Sequence, residues 1–175
     1  MPLYTKKGDD GKTNIFGCDQ RLSKSSAIAE ALGCLDEINS NLGIIKSKIG
    51  DLKDKKIIHD IQNNLFIIQA QVAGAGKKIK EDEVKNLEKI INDIEKKLPP
   101  IKSFLISGAN ELSANFDFAR TLARRAERRV VAVSEEGIAK IDEQTLAFMN
   151  RLSSLLYAFA RKSAQESGME EAPKY

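Results

Sequence analysis

Tryptophan is absent from this 175-residue chain, histidine occurs once and cysteine twice. A lone histidine, His59, excludes multi-histidine metal centres and argues against a Ser-His-Asp triad. Cys18 and Cys34 are too few and too far apart for a zinc site or a disulfide framework, so each reads as a small apolar filler. No apolar run approaches the roughly 20 residues of a membrane span. Near the N-terminus, Lys6, Lys7, Asp9 and Asp10 stand where a secretory signal would carry its apolar core. The expectation is a cytoplasmic protein with reduced thiols and no membrane attachment. What the chain does have is globular composition, 42% hydrophobic and 30% charged. A chain of this length buries about 70% of its unfolded surface, enough for one domain without covalent staples.

Residues 1–24 have no helical period. Their turn formers Gly8, Asp9, Asp10, Gly11, Gly17 and Asp19 predict a long ordered loop with a short extended piece at Thr13 to Phe16. After a cap at Ser25 or Ser26, the positions Ile28, Ala31, Leu32, Leu35, Ile38, Leu42 and Ile45 predict a helix to about Lys48. A second helix is expected from about Leu52 to Ala75, ended by Gly74 and Gly76. A third runs from about Asp82 to Lys97, stopped by Pro99-Pro100. Residues 98–109 form a connector whose apolar part, Ile101 to Ile106, is expected to tuck against the helices. A fourth helix runs from about Asn110 to Glu136, with Phe116, Ala119, Leu122, Ala123, Ala126, Val130 and Val133 inward and Gly137 as its C-cap. A fifth runs from about Asp142 to Glu166. The expected fold is all-α: a five-helix bundle over 25–167, the loop 1–24 before it and a tail, 168–175, after it.

Charge is concentrated. The net charge is only +3, yet Arg120, Arg124, Arg125, Arg128 and Arg129 stand together against one acid, Glu127. Arg120, Arg124 and Arg128 share one helix face. Like charges at this spacing cost a helix roughly 0.2–0.5 kcal/mol per pair. An external polyanion would offset that, and the guanidinium fork matches phosphate oxygens. The same spacing fits a solvated basic face or salt bridges to other helices. Nucleic-acid binding is disfavoured, because the apolar residues bury one side of this helix and the rest of the chain is near neutral.

The loop Thr5-Lys6-Lys7-Gly8-Asp9-Asp10-Gly11-Lys12-Thr13 can turn backbone N–H groups, lysines and hydroxyls toward an anion. It also fits a flexible tail. Gly11-Lys12-Thr13 matches the end of a P-loop, but Lys6 stands where that motif needs its first glycine. Asp9 and Asp10 fit Mg²⁺ held through water, or turn caps. Asp36, beside Glu37 and Asn39, sits inside helix one, where an aspartate is unfavourable unless paired or solvated. Asn150 falls beside the Leu146 and Met149 line and fits either a groove or the helix surface.

Four segments in order resemble the PduO-type ATP:cob(I)alamin adenosyltransferases. They are Tyr4 to Thr13 followed by Lys24; Leu32-Gly33-Cys34-Leu35-Asp36-Glu37-Ile38-Asn39-Ser40; Ala119-Arg120-Thr121-Leu122-Ala123-Arg124-Arg125-Ala126-Glu127-Arg128; and Met149-Asn150-Arg151-Leu152-Ser153-Ser154. The resemblance implies homotrimers of five-helix bundles with active sites between subunits. It implies transfer of the 5′-deoxyadenosyl group of ATP to cob(I)alamin with release of triphosphate. Mg²⁺ would be held mainly by the ATP phosphates. A reductase that supplies Co(I) and an adenosylcobalamin-dependent mutase that takes the product are the implied partners. ATP binding falls to Thr5, Lys6, Lys7, Gly8, Thr13, Lys24, Arg124, Arg125, Glu127, Arg128 and Asn150. Arg124 and Arg128 take the catalytic role, and Asp36 pairs with Arg124 across the subunit boundary. Phe104, Phe116 and Phe118 are expected on the corrinoid side, with Phe159 or Tyr157 opposite.

Because the nucleophile is the substrate's cobalt, such an enzyme needs no histidine base or serine nucleophile. The alternative is an ATP-binding bundle that senses or scaffolds without turnover. Three positions depart from the family pattern. Ser107-Gly108-Ala109 replaces Pro-Gly-Gly, Asp117 replaces a histidine, and Ser154 replaces the acid after Asn-Arg-Leu-Ser.

Overall fold

Ser26, Asp51, Asn110 and Asp142 each accept a hydrogen bond from the backbone N–H three residues on, and the four long helices start there. Such caps satisfy N–H groups that a helix leaves without partners. The structure, a computed structural model, describes residues 4–15, 21–101, 103, 105–168 and 171–174. Its elements are β1 (Lys12–Asn14), β2 (Arg21–Ser23), α1 (Ala27–Lys48), α2 (Leu52–Val72), α3 (Glu81–Glu95), α4 (Glu111–Glu135) and α5 (Glu143–Ser167). The expected five-helix, all-α architecture is found, with one small antiparallel hairpin added to it.

α4 packs against both α1 and α5, α2 lies on α1, and α3 lies on α5. Leu35, Ile38 and Leu42 of α1 meet Ile61 and Leu65 of α2, Ala119, Ala123 and Ala126 of α4, and Met149, Leu152 and Leu156 of α5 in one buried core. The alanine stripe of α4 lets its neighbours approach closely, since helix spacing follows the side chains at the contact. Among the described residues no helix is long and apolar enough to cross a membrane.

Several boundaries differ from the expectation, each for a local reason. α2 stops at Val72, because Gly74 takes a left-handed φ of 89°. Gly74 N–H then reaches Gln71 O and Ala75 N–H reaches Ala70 O, a Schellman closure. Gly137 closes α4 in the same way, with Ile138 N–H on Val133 O, as the sequence suggested. α3 ends at Glu95, and Lys97 and Leu98 continue only as tight turns before the prolines.

The extended piece near Thr13 is strand β1, paired Lys12 to Ser23, Thr13 to Leu22 and Asn14 to Arg21. Phe16 and Cys18 lie outside the described residues. Cys34 is buried as an apolar filler, and that burial pushes its thiol pKa up.

The connector does not tuck away as expected. Ile101 is 56% exposed and Ile106 48% exposed. Hydrogen bonds tie this segment at Pro99 and Ile106. Arg161 donates to Pro99 O at 2.7 Å, and Ile106 N–H donates to Glu171 O at 2.8 Å.

Candidate functional site

The N-terminal loop is a built structure. The Arg21 guanidinium donates to both carboxylate oxygens of Asp10, at 2.8 and 2.9 Å, and to Lys7 O. That ion pair and the Lys12 N–H hold the Asp10 carboxyl below its ordinary range. Lys24 Nζ donates to Gly8 O at 2.8 Å, and Lys24 N–H donates to Gly11 O. Lys6 takes a left-handed φ of 58°, and Gly11 one of 76°. A non-glycine residue in that region marks a loop whose surroundings over-determine it. Thr5, Lys6, Lys7, Gly8 and Lys24 thus gather in one tight turn, with Thr13 in the adjoining strand. Arg21, which ties them, was not foreseen; the paired β-prone stretches on either side of residues 16–20 were its only signal.

The structure sorts the five arginines of α4. Arg125 pairs with Glu37 of α1, and Arg129 Nε lies 3.5 Å from Glu30 of α1. Arg120 Nε lies 3.9 Å from Asp117 one turn back. Arg124 and Arg128 are exposed, on one face, and make no ion pair among the described residues. Arg125, expected among the ATP ligands, is therefore engaged within the chain by Glu37. Asp36 is exposed and likewise makes no ion pair among the described residues.

Asn150 is exposed. It donates to Glu127 Oε1 at 3.0 Å and accepts from Arg151 at 2.8 Å. Arg151 in turn holds Glu88 of α3 at 3.0 Å. This line of bonds from α4 through α5 to α3 fixes the Glu127 carboxylate, and no spacing rule in the sequence foretells it.

Beside Arg124 a cleft of about 930 Å³ opens between α4, α5 and the connector. Ile101, Ser103, Leu105 and Ser107 form one wall, Asp117, Arg120 and Arg124 the second, and Ser153, Ser154 and Tyr157 the third. Burial pushes the Asp117 carboxyl up, while Arg120, Ser107 and the Gly108 N–H pull it down by less. The Arg120 guanidinium sits 6.0 Å over the Tyr157 ring.

The phenylalanines expected along the corrinoid side separate here. Phe116 is 2% exposed and stacks on Phe159 with ring centroids 5.1 Å apart. Both belong to the core, because their helix positions point between α4 and α5 and away from the cleft. Phe118 is 56% exposed. Phe104 lies outside the described residues. Of these aromatics among the described residues, Tyr157 alone lines the cleft.

No hydrogen bond or ion pair among the described residues joins the N-terminal loop to Arg124 or Arg128. The loop nevertheless runs straight into α1, whose first-turn Glu30 reaches Arg129, the neighbour of Arg128. One chain brings the loop and the arginine run to the same end of the bundle without closing them on each other.

Known proteins are similar to this chain in sequence and in fold. A corrinoid adenosyltransferase PduO of Citrobacter freundii is 36% identical over 168 residues, which are 92% of this chain and 49% of that protein. The chain thus spans about half the length of that relative, and 52% of the PduO of Salmonella typhimurium. A corrinoid adenosyltransferase of Bacillus subtilis is 33% identical across 97% of this chain and 90% of its own. A solved variant of the PduO-type ATP:corrinoid adenosyltransferase from Lactobacillus reuteri, complexed with cobalamin and ATP, superposes with a TM-score of 0.88 at 32% identity. That match covers 99% of this chain and 96% of that one. The family model described as cobalamin adenosyltransferase matches residues 3–163. With a family model matched over nearly the whole chain and a full-length relative at 33% identity, this chain belongs to the cobalamin adenosyltransferase family.

Proposed function

We propose that this chain transfers the 5′-deoxyadenosyl group of ATP to the cobalt of a reduced corrinoid. The observation that carries the proposal is the sorting of the arginines. Glu37 and Glu30 engage Arg125 and Arg129, which leaves Arg124 and Arg128 on one exposed face, with Arg124 at the rim of a large cleft. The bond changes are simple. The Co(I) electron pair attacks C5′, a cobalt–carbon bond forms, the C5′–O bond breaks, and triphosphate leaves with that bond's electrons.

The protein's part is positioning and charge stabilisation. Arg124 and Arg128 face the charge that grows on the leaving triphosphate. Thr5, Lys6, Lys7, Gly8 and Thr13 wrap its phosphates through backbone and side-chain donors, and Lys24 exchanges Gly8 O for a phosphate oxygen. Asn150, held between Glu127 and Arg151, contacts the nucleotide. Mg²⁺ rides on the phosphate oxygens. Among the described residues no three His, Cys, Asp or Glu side chains converge to hold a metal.

The exposed Asp36, and a loop that stops short of Arg124, support a homotrimer in which Asp36 of one subunit meets Arg124 of the next. We place the reaction in the cytoplasm, where ATP and a reductant for cobalt coexist. The natural partners are a reductase upstream and an adenosylcobalamin-dependent mutase downstream.

The test is an anaerobic assay with chemically reduced cob(I)alamin and Mg·ATP, following adenosylcobalamin by absorbance and triphosphate by chromatography. Product from the wild type, lost in Arg124→Ala and Arg128→Ala but kept in Arg129→Ala, supports the reading. ATP binding without product from the wild type would overturn it in favour of a nucleotide-sensing bundle.

A further inference from the structure

A second cleft, of about 540 Å³, opens at the end of the bundle where α2 and α4 stop and α1 and α5 begin. It shares no described lining residue with the cleft beside Arg124. Its body is apolar: Ile15 directly after β1, Leu22 of β2, Ile28 of α1, Val72 of α2 and Ile138 in the α4–α5 turn. Lys77, Lys78 and Lys140 line it as well, and all three are exposed. No ion pair among the described residues engages any of them, and the N–H groups of Gly76, Lys77 and Lys78 have no backbone partner there.

The lysines are not caps for α2. Gly74 and Ala75 N–H already close that helix end. The acid on the wall is also occupied within the chain. Asp142 Oδ1 accepts from Thr145 N–H at 2.9 Å, and Oδ2 accepts from Gln71. Three ammonium groups around an apolar hollow therefore face one carboxylate that is already hydrogen-bonded. That combination suits a ligand with an apolar chain and an acidic head, since the walls supply burial and a few polar groups fix orientation. The volume falls inside the range of about 300–1,000 Å³ usual for small-molecule sites. A lysine ammonium is a point charge, so a carboxylate and a phosphate monoester serve equally as the head.

We propose that this cleft binds a small amphiphilic anion and that its occupancy tunes the N-terminal loop. Ile15 and Leu22 belong to the hairpin segment that carries Thr13, so the ligand packs against the loop's own hairpin. Ile15 is 7% exposed, while Leu22 is only partly buried and has apolar surface left to cover. Those contacts exist only while the hairpin holds this position, and a ligand shifts an equilibrium by its differential affinity for the two states. Occupancy thus favours this placement of the hairpin and tightens ATP. The tuning rests on the adenosyltransferase reading, and the binding does not.

The experiment titrates the full chain calorimetrically with decanoate and decyl phosphate, and with decanol and acetate as the chain and the head alone. Both long anions should bind at least about tenfold more tightly than decanol or acetate, because a charge-assisted contact is worth a factor of that order. The tighter of the two names the head. The triple variant Lys77→Gln, Lys78→Gln, Lys140→Gln should bring the anions down to decanol, with Tm and unliganded turnover unchanged. Ala139→Leu, which adds bulk to the wall, should weaken every chain-bearing probe. Arg124→Ala, at the other cleft, should bind the probes as wild type does. By linkage, a saturating anion should lower the ATP Kd about fivefold or more, and Mg·ATP should lower the anion Kd by the same factor.

Long anions that bind no tighter than decanol overturn the site, as does binding that survives the triple lysine variant and is lost in Arg124→Ala. An ATP Kd unmoved by a bound anion overturns the tuning. A wild type that binds no ATP overturns the adenosyltransferase reading instead, and the lysine series still decides the site.

Discussion

Replacing Phe116 by alanine separates a core role from a ligand-facing one. Its ring is 2% exposed and stacked on Phe159 at 5.1 Å with an interplanar angle of 10°. Truncating a buried phenylalanine costs about 3–5 kcal/mol, because the lost transfer energy is compounded by the cavity left behind. For a chain of this size each kcal/mol lowers Tm by about 2–4 °C, so Phe116→Ala should melt roughly 6–20 °C below wild type. Total stability for such domains is about 5–15 kcal/mol, and the milder Phe116→Leu keeps protein folded for kinetics. In the double-mutant cycle with Phe159→Ala, the ring pair should show a coupling of about 0.5–1.5 kcal/mol. Circular-dichroism melts give the stabilities, and steady-state assays of Phe116→Leu give the corrinoid KM, which should stay at the wild-type value. An unchanged Tm combined with a raised corrinoid KM would refute the reasoning and return Phe116 to the cleft.

Asp117→Asn should raise Tm at neutral pH. Burial raises the folded-state pKa of Asp117 above its unfolded value, so ionised Asp117 weakens the fold at neutral pH. That penalty fades as pH falls through the folded pKa, and melts of the two proteins should converge below the ordinary carboxylate range. The Asp10–Arg21 pair works in the opposite direction. The Asp10 pKa is lowered, so its contribution to loop order is present above the unfolded value and lost as pH falls through the folded one. Arg21→Gln should make the loop easier to cut by limited proteolysis near Lys12 and raise the ATP KM, with little change in Tm. Asn110→Ala removes the α4 cap and a 2.7 Å bond to Ser163 O, and chemical denaturation should show a loss of about 0.5–2 kcal/mol. Arg125→Gln, which breaks a half-exposed pair with Glu37, should cost under about 1 kcal/mol in the same measurement.

Much of this molecule follows from short stretches of sequence. Helix starts at Ser26, Asp51, Asn110 and Asp142 and the closure at Gly137 are local chemistry, and the inward line of α4 from Phe116 to Val133 is a 3.6-residue period. Those signals need no knowledge of what lies across the core. The turn-rich loop from Thr5 to Thr13 and the arginine run were legible for the same reason, since glycine and aspartate mark turns and clustered arginine marks a charged helix face before anything folds.

Tertiary structure decided the rest. Periodicity gives a helix its buried stripe but not the neighbour that stripe meets. The sequence therefore could not tell that Phe116 faces Phe159 and leaves Tyr157 to line the cleft. Five arginines look alike along one helix until α1 is laid beside it. Glu37 and Glu30 then tie down Arg125 and Arg129, and Arg124 and Arg128 are left outward. The Glu127, Asn150, Arg151 and Glu88 chain spans three helices, and Asp117 is buried only when the connector, with Ser107 and Gly108, is laid against α4. Local spacing carries direction along and around one helix, whereas charge pairing, burial and clefts depend on distances between helices far apart in the chain.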